Sequence, residues 1–353
     1  MTPSAKEVIA PQCTITVGGI PLKNPFCELE SVDVKISAGT QANSCDVTLL
    51  CEYDNSGSKV ANGLLSLLTA GEKVVVKLGY KQLKKVFIGY INSVSVDFSA
   101  DGVLVSFSCL DARGLLMGNT QWQNYENESI SQIINKLLKP VKKYTEGIQV
   151  SVPGKADKEY PMTQRDVDDF QYICNLAKLT NCSFCMTDMK LRFVKNIFKT
   201  ARKLETYKWG KDILSFNRTV ELAGQLGAVK VSGNSPDTIE EFSAEAKPPS
   251  GKGKTGSQLC PEVKLKEKEI NNSLVKNQSE AQNFADAVMF EIAMKLCTGS
   301  ATVLGNQKLV PGGKVEFEGL DPAVDGEYYI SSVEHKFSTG GFITVIGISA
   351  VAV

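Results

Sequence analysis

The sequence predicts an α+β chain that is mostly β. One small β-domain is present twice, at the two ends, with an α/β module and a helix-plus-flexible-arm insertion between the copies. Three observations predict this. The first is Lys85–Cys109, which reads as a β-hairpin: Val94, Val96 and Phe98 alternate with small or polar residues on one arm, and Val103, Val105, Phe107 and Cys109 do so on the other. The arms flank Asp101-Gly102, the dipeptide favoured in a type I′ turn, where both central residues need positive φ. The second is that this pattern recurs in GEYYISSVEHKFSTGGFITVIGISA near the C-terminus. Setting Tyr90 on Tyr329 aligns the two without a gap at an offset of 239 (329 − 90). Tyr90, Ile91, Ser93, Val94, Phe98, Ser99 and Gly102 then meet Tyr329, Ile330, Ser332, Val333, Phe337, Ser338 and Gly341. Upstream, Gly71–Leu78 echoes Gly312–Gly319, with the offset slipping by two residues in the loop between. Such self-similarity marks a repeated unit; the alternative is chance likeness between two amphipathic hairpins, since β-patterns carry little information. The third observation is a change of period at Gly114, where alternation gives way to helical spacing.

Taken in order, residues 1–112 form the first β-domain, a small barrel or sandwich. Cys13–Val17 is a strand ended by the Gly18-Gly19 turn, Glu28–Ser37 a strand with one wet face, and Cys45–Cys51 a third. Gly63–Leu68 fits a short helix plugging one end, before strand Lys73–Gly79 and the hairpin. Residues 113–204 form the α/β module. Ser129 and Gln132 make a capping box, Ile130, Ile133, Ile134, Leu137 and Leu138 follow at helical spacing, and Pro140 stops the helix. Ile148, Val150 and Val152 mark a strand, Asp168–Leu179 a second helix, and Ser183–Met186 and Leu191–Val194 a hairpin. Residues 205–243 and 298–353 form the second β-domain, split by an insertion at 244–297. Of that insertion, residues 244–273 are rich in Lys, Gly, Ser, Pro and Glu and predict a mobile arm, and Ser279–Leu296 predicts an amphipathic helix.

Composition narrows the function. Lys+Arg and Asp+Glu are both 39, so the formal charge is zero, which argues against phosphate-driven nucleic-acid binding and leaves self-association unopposed. No apolar run is long enough for a transmembrane helix, and the first residues lack a signal-peptide core, which predicts synthesis in the cytoplasm and no membrane insertion. The ten cysteines, several at core positions such as Cys45, read as buried reduced thiols. No catalytic set, metal site or cofactor site is evident. His335 is the one histidine, in a strand beside Val333 and Phe337, and reads as a structural residue in a core or interface. Cys182 and Cys185 have C-x-x-C spacing but no second pair, and structural zinc needs four ligands. Asp166, Asp168 and Asp169 open a helix, where carboxylates favour the dipole. Gly251–Gly256 lacks the phosphate-loop pattern.

Three stretches carry a resemblance. Tyr90–Asp111 is similar to the first-barrel hairpin of the phage late-control D / tail-hub family, which includes the N-terminal part of VgrG proteins and the hubs of contractile injection systems. Thr163–Ala177 resembles that family's polar start, aromatic and Leu-Ala ending, although Asn181 stands where a glycine is common. Gly305–Phe337 resembles its closing block, with Pro311-Gly312, Gly326, Tyr328–Ile330, Val333 and His335. The resemblance implies two tail-tube-like barrels and a non-catalytic baseplate hub. Three copies would form a pseudo-sixfold ring in a virion or injection particle, joining the sixfold inner tube to the threefold spike. Implied partners are a homotrimer, the inner tube protein, a spike and other baseplate subunits. The sequence ends at Val353, directly after the second β-domain, so the spike is expected on a separate chain. The expected assembly residues are Tyr90, Val94, Phe98, Gly102, Tyr329, Val333, His335, Phe337 and Gly341. A carbohydrate- or partner-binding module, or a tube or baseplate subunit of other symmetry, remains the alternative.

Overall fold

The computed structural model describes residues 10–39, 41–54, 59–60, 63–100, 102–118, 120–154, 156–157, 161–234, 241–272 and 274–353. Alternating apolar residues build the first unit from β1 (Gln12–Val17), β2 (Cys27–Ser37), β3 (Ser44–Cys51), β4 (Lys73–Gly79), β5 (Leu83–Ser99) and β6 (Gly102–Leu110). They pair antiparallel in the order β1-β4-β5-β6-β3-β2. Inward-facing Val32, Val34, Val47, Val76, Leu78, Phe87, Val105 and Phe107 form one core, and a helical turn at Leu64–Leu67 adds the buried Leu64 to it. The hairpin expected at Asp101-Gly102 joins β5 to β6. Gly102 has φ +134°, which favours glycine, and Asp101 lies outside the described residues.

The helical layer follows: β7 (Gln121–Tyr125), α1 (Ile130–Leu138), β8 (Gly147–Val150), β9 (Met162–Val167), α2 (Asp169–Thr180), β10 (Cys182–Thr187) and β11 (Lys190–Lys195). Its caps are those the sequence predicts. The Ser129 amide donates to Gln132 Oε1 at 2.7 Å, and the Gln132 amide returns to Ser129 Oγ at 3.4 Å. Asp168 caps α2 by accepting from the Gln171 amide at 2.7 Å. Asn181 ends α2 at φ +51°, a left-handed position that asparagine tolerates, which explains why it can stand where glycine is common.

The second unit begins with β12 (Lys203–Lys208) and β13 (Ile213–Val220). The chain then leaves to form β14 (Ala228–Asn234), β15 (Glu241–Ala246), β16 (Glu267–Asn271) and α3 (Gln278–Ala293). It returns as β17 (Cys297–Leu304), β18 (Lys314–Glu318), β19 (Gly326–Ser338) and β20 (Gly341–Ala350). The order is β12-β18-β19-β20-β17-β13, the same as in the first unit when strands are matched in sequence. One pair differs: β12 runs parallel to β18, whereas β1 runs antiparallel to β4.

The irregularities coincide as well. Register slips between Ile91 and Ser93 in β5·β6 and between Ile330 and Ser332 in β19·β20, a separation of 239 (330 − 91). It slips between Leu29 and Ser31 in β2·β3 and between Ile213 and Ser215 in β13·β17, a separation of 184 (213 − 29). The Gly71 amide donates to the Ile91 carbonyl at 2.8 Å, and the Gly312 amide donates to the Ile330 carbonyl at 3.0 Å. A bulge re-aims the strand after it, so the two units bend at corresponding residues.

Three expectations need correction. Of residues 244–273, expected to form a mobile arm, the described ones, 244–272, are built in. β15 and β16 flank β14 in a three-stranded sheet, and Lys254 and Val353 exchange backbone hydrogen bonds at 2.6 and 3.0 Å. The glycines that made the segment look like a linker allow this approach: a Cβ on Gly253 would lie 2.5 Å from the Val353 carbonyl oxygen. Second, β14 and β15 belong to this sheet and not to the second β-unit. Their buried Val229, Val231 and Ala244 share one core with Ile133 of α1, Ile173 of α2 and Ala285 of α3, so the module and the insertion form one layer. Third, not every cysteine is a free thiol. Cys27 and Cys51 sit directly opposite across β2·β3, with Cα atoms 4.1 Å apart, and are disulfide-bonded.

A buried ion pair ties the layer to the first unit. Arg113 and Asp111 are both fully buried, with Nη2 2.8 Å from Oδ2 and Nε within 3.2 Å of both carboxylate oxygens. Arg113 Nη2 also donates to Asn43 Oδ1 at 2.7 Å, and Asn43 Nδ2 donates to the Met186 carbonyl of β10 at 3.1 Å. Removing the carboxylate leaves a buried guanidinium without its counter-ion. Asp111→Ala should therefore cost about 3–5 kcal/mol in urea unfolding, whereas alanine at the exposed Asp188, which pairs with the half-buried Arg192, should cost under about 1 kcal/mol.

Candidate functional site

Strand β19 is too long for its own hairpin. Its first residues, Gly326–Tyr329, pair with β18, and its last, Ser332–Ser338, pair antiparallel with β2 of the first unit, while β20 pairs along the opposite side from Tyr329 to Ser338. The two units thereby join into one continuous sheet. In this seam Val333 lies opposite Ile36, His335 opposite Val34 and Phe337 opposite Val32. Between them, outward-facing charges alternate: Glu334 pairs with Lys35 at 3.5 Å, and Lys336 lies opposite Asp33. The seam ends where the Ala38 amide donates to the Ser331 carbonyl at 3.1 Å.

Of the residues expected to matter for assembly, Val333, His335 and Phe337 come together here. Val333 and His335 are buried, and Phe337 packs on the first unit's core. Tyr329 lies at the hinge into the helical layer, its ring 5.7 Å from Phe198 and 6.3 Å from Phe290. Gly341 closes the hairpin at φ +123°. Their counterparts stand apart from this seam. Tyr90 is buried against Tyr144, with ring centroids 5.4 Å apart, and Gly102 is at the first hairpin tip. Val94 and Val96 are only half-buried, and Phe98 is 63% exposed. The sequence missed Asn43, whose role depends on contacts 68 to 143 residues away.

The chemistry around these residues is that of a packed, hydrogen-bonded interior. The buried His335 has its Nδ1 3.0 Å from Thr344 Oγ1, which itself accepts the Asn306 amide at 3.0 Å. The threonine hydroxyl is thus free to donate to Nδ1, which puts the ring proton on Nε2. Among the described residues Nε2 has no hydrogen-bond partner, and His335 helps to line a cleft of about 340 Å³ that also carries Lys84, Lys85 and Lys308. Cys182 and Cys185 lie three apart on one strand, so their side chains leave opposite faces and cannot share a metal ion. Burial pushes the Cys182 thiol up to about 11 and raises the Cys185 thiol as well, away from the thiolate form that a redox pair requires. Among the described residues, no group of three His, Cys, Asp or Glu could hold a metal ion, and no helix is long and apolar enough to cross a membrane.

Burial lowers the His335 imidazole from 6.5 to about 4. The folded protein therefore keeps the ring neutral at pH values where the unfolded chain protonates it. Its contribution is complete above pH 6.5 and is lost as pH falls from 6.5 to 4, on the order of 3 kcal/mol at the limit. Stability measured by denaturant titration across that window should fall less steeply in His335→Gln than in the unsubstituted protein. Equal slopes would place the histidine outside the pH response.

No curated protein sequence matches the chain. Among solved structures, it is similar to the 43 kDa tail protein of prophage MuSo2 from Shewanella oneidensis, at 13% identity, covering 97% of this chain and 99% of that one with a TM-score of 0.73. It is similar to a tail protein from Neisseria meningitidis at 15% identity, covering 97% of both chains with a TM-score of 0.72. It is also similar to an Escherichia coli component of the type VI secretion system, itself described as structurally similar to the T4 bacteriophage tail proteins gp27 and gp5. That match has 11% identity, 95% and 76% coverage and a TM-score of 0.61. The chain shares the mostly β fold of these tail proteins. Its residues 10–339 match the family model described as the Alg8 N-terminal domain, and the chain belongs to that family.

Proposed function

We propose that this chain is a structural, non-catalytic hub of a contractile phage tail or contractile injection particle. Three copies close into a ring of six similar units that joins a sixfold inner tube to a threefold spike. The observation that carries this reading is the seam. Two units of one strand order lie side by side in one continuous sheet, joined by an edge of one unit and a different edge of the other. Joining unlike edges is a head-to-tail contact, and repeating such a contact builds a closed ring when the rotation closes. A chain carrying two units supplies the ring two positions at a time, so six positions need three chains. The fold shared with phage tail proteins, and with a type VI secretion component, supports the same reading. In this role the chain contacts the tube protein on one face of the ring, and a spike and other baseplate subunits elsewhere.

Light scattering on a size-exclusion column tests the proposal. At tens of micromolar the protein alone should elute at three times the chain mass, or should form a complex holding three copies of the chain once its tube and spike partners are added. A strict monomer under all these conditions would overturn the ring and favour a partner-binding module.

A further inference from the structure

We propose that the outer edge of β5, Ser93–Ser99, pairs antiparallel with the free edge of β13, Ser215–Glu221, of a second copy of this chain. The register sets Val94 opposite Val220, Val96 opposite Arg218 and Phe98 opposite Phe216. This rests on the ring reading and specifies the contact that would close it.

The register comes from the seam within the chain. There β19 pairs with β2. The counterpart of β19 is β5, 239 residues earlier, and the counterpart of β2 is β13, 184 residues later, as the coincident bulges fix (330 − 91; 213 − 29). Moving each pair by these offsets takes Val333–Ile36 to Val94–Val220, His335–Val34 to Val96–Arg218 and Phe337–Val32 to Phe98–Phe216. The bond from the Ala38 amide to the Ser331 carbonyl becomes one from the Leu222 amide to the Asn92 carbonyl.

Among the described residues, both edges are open. β5 pairs with β4 only through Leu83–Tyr90, and beyond the bulge it has β6 on one side alone. β13 ends the hydrogen-bonded path, with β17 on its single paired side. Open edges in soluble proteins are usually guarded by lysine, proline or a short strand. SVSVDFS carries neither lysine nor proline and a single charge, Asp97, and β13 likewise has a single charge, Arg218, while its Leu214 and Val220 are 56% and 42% exposed. Within the chain, the seam covers the residues that correspond to these open ones. His335 is fully buried whereas Val96 is half-buried, and Phe337 packs on the neighbouring unit's core whereas Phe98 is 63% exposed. Arg218 is compatible with the pairing: its guanidinium already donates to the Ala323 carbonyl at 2.7 Å and to Tyr328 Oη at 3.1 Å, leaving its stem for Val96.

The two seams differ in charge. Lys35–Glu334 and Asp33–Lys336 in the internal seam become Thr219–Ser95 and Asn217–Asp97 in the external one. No opposite charges face each other there, so the contact rests on backbone bonds and apolar pairs and should respond weakly to salt.

The double variant Val94→Cys/Val220→Cys tests the register in the full chain. Directly opposed residues on antiparallel strands fall within disulfide reach. Mild oxidation should give covalent dimers and trimers on a non-reducing gel, with the bridging peptides identified by mass spectrometry. The control Val94→Cys/Phe216→Cys, four residues out of register, should not crosslink. Phe98→Cys/Phe216→Cys reads the same register at different positions should the first variant fold poorly. Phe98→Glu should raise the dissociation constant at least tenfold while circular dichroism stays unchanged. If light scattering shows an oligomer but crosslinks form only in the control, or in neither matched pair, the register is wrong and the ring stands. If the unsubstituted protein is monomeric, the ring fails with it.

Discussion

The structure depends on one backbone ladder, the seven residue pairs between β19 and β2. Each unit is complete as a folded sheet without it, but the relation between them is not. β19 is long enough to serve both: four residues complete the β18 hairpin, a bulge at Ile330/Ser332 turns the strand, and the rest enters the other unit's sheet. Because side chains alternate across a sheet, this register decides at once that Val333 and His335 are covered while Glu334 and Lys336 face outward. A slip of one residue would bury Glu334 and expose Val333. Register is therefore strongly specified, and the buried histidine adds to the specification by demanding Thr344 beside it.

The helical layer holds the seam from one side. Tyr329, at the start of the crossing strand, packs edge-on against Phe198 and Phe290, and so couples the second unit to the helical layer and to α3. On the first unit the coupling is polar. Asn43 accepts the Ser37 amide at the end of β2, accepts from Arg113, and donates to Met186 in β10. A buried arginine–aspartate pair is weak evidence for stability, because desolvation offsets much of the attraction. What it supplies here is geometry: three elements must meet at fixed distances for the charges to be satisfied, and Ser37 is a member of the seam itself.

The sequence shows the parts of this architecture that are local. The period of two identifies β2, β3, β4 and β6, the Ser129–Gln132 box places α1, and the alignment of Tyr90 with Tyr329 finds the two hairpins whose bulges later coincide. It does not show which edges meet, because alternation specifies faces and not edge partners. β19 and β2 lie about 300 residues apart in the chain, and nothing in VSVDFS or VEHKFS says that one edge is covered and the other bare. The sheet of β14, β15 and β16 was illegible for a different reason. Its outer strands, EFSAEA and EKEIN, bury few residues, and their flanking Lys, Gly and Pro imitate a linker. The Cys27–Cys51 bridge and the Asn43 contacts are consequences of register and topology, so they become visible only once the strands are placed.

The differences between the two units bear on why a chain would carry two of them. Six copies of a single unit would make six identical seams and a sixfold object. Here one seam type carries Lys35–Glu334 and a buried histidine, while the corresponding open edges carry Thr219, Ser95 and an arginine already held by its own unit. A ring in which such seams alternate keeps a nearly sixfold backbone and a threefold pattern of charge and burial. The helical layer has the same consequence, since it occurs once per chain and α3 interrupts only the second unit. In the proposed ring, a partner of sixfold symmetry would read the backbone and a partner of threefold symmetry the differences. The same strand order, used twice with unlike side chains, would then present both symmetries from one polypeptide.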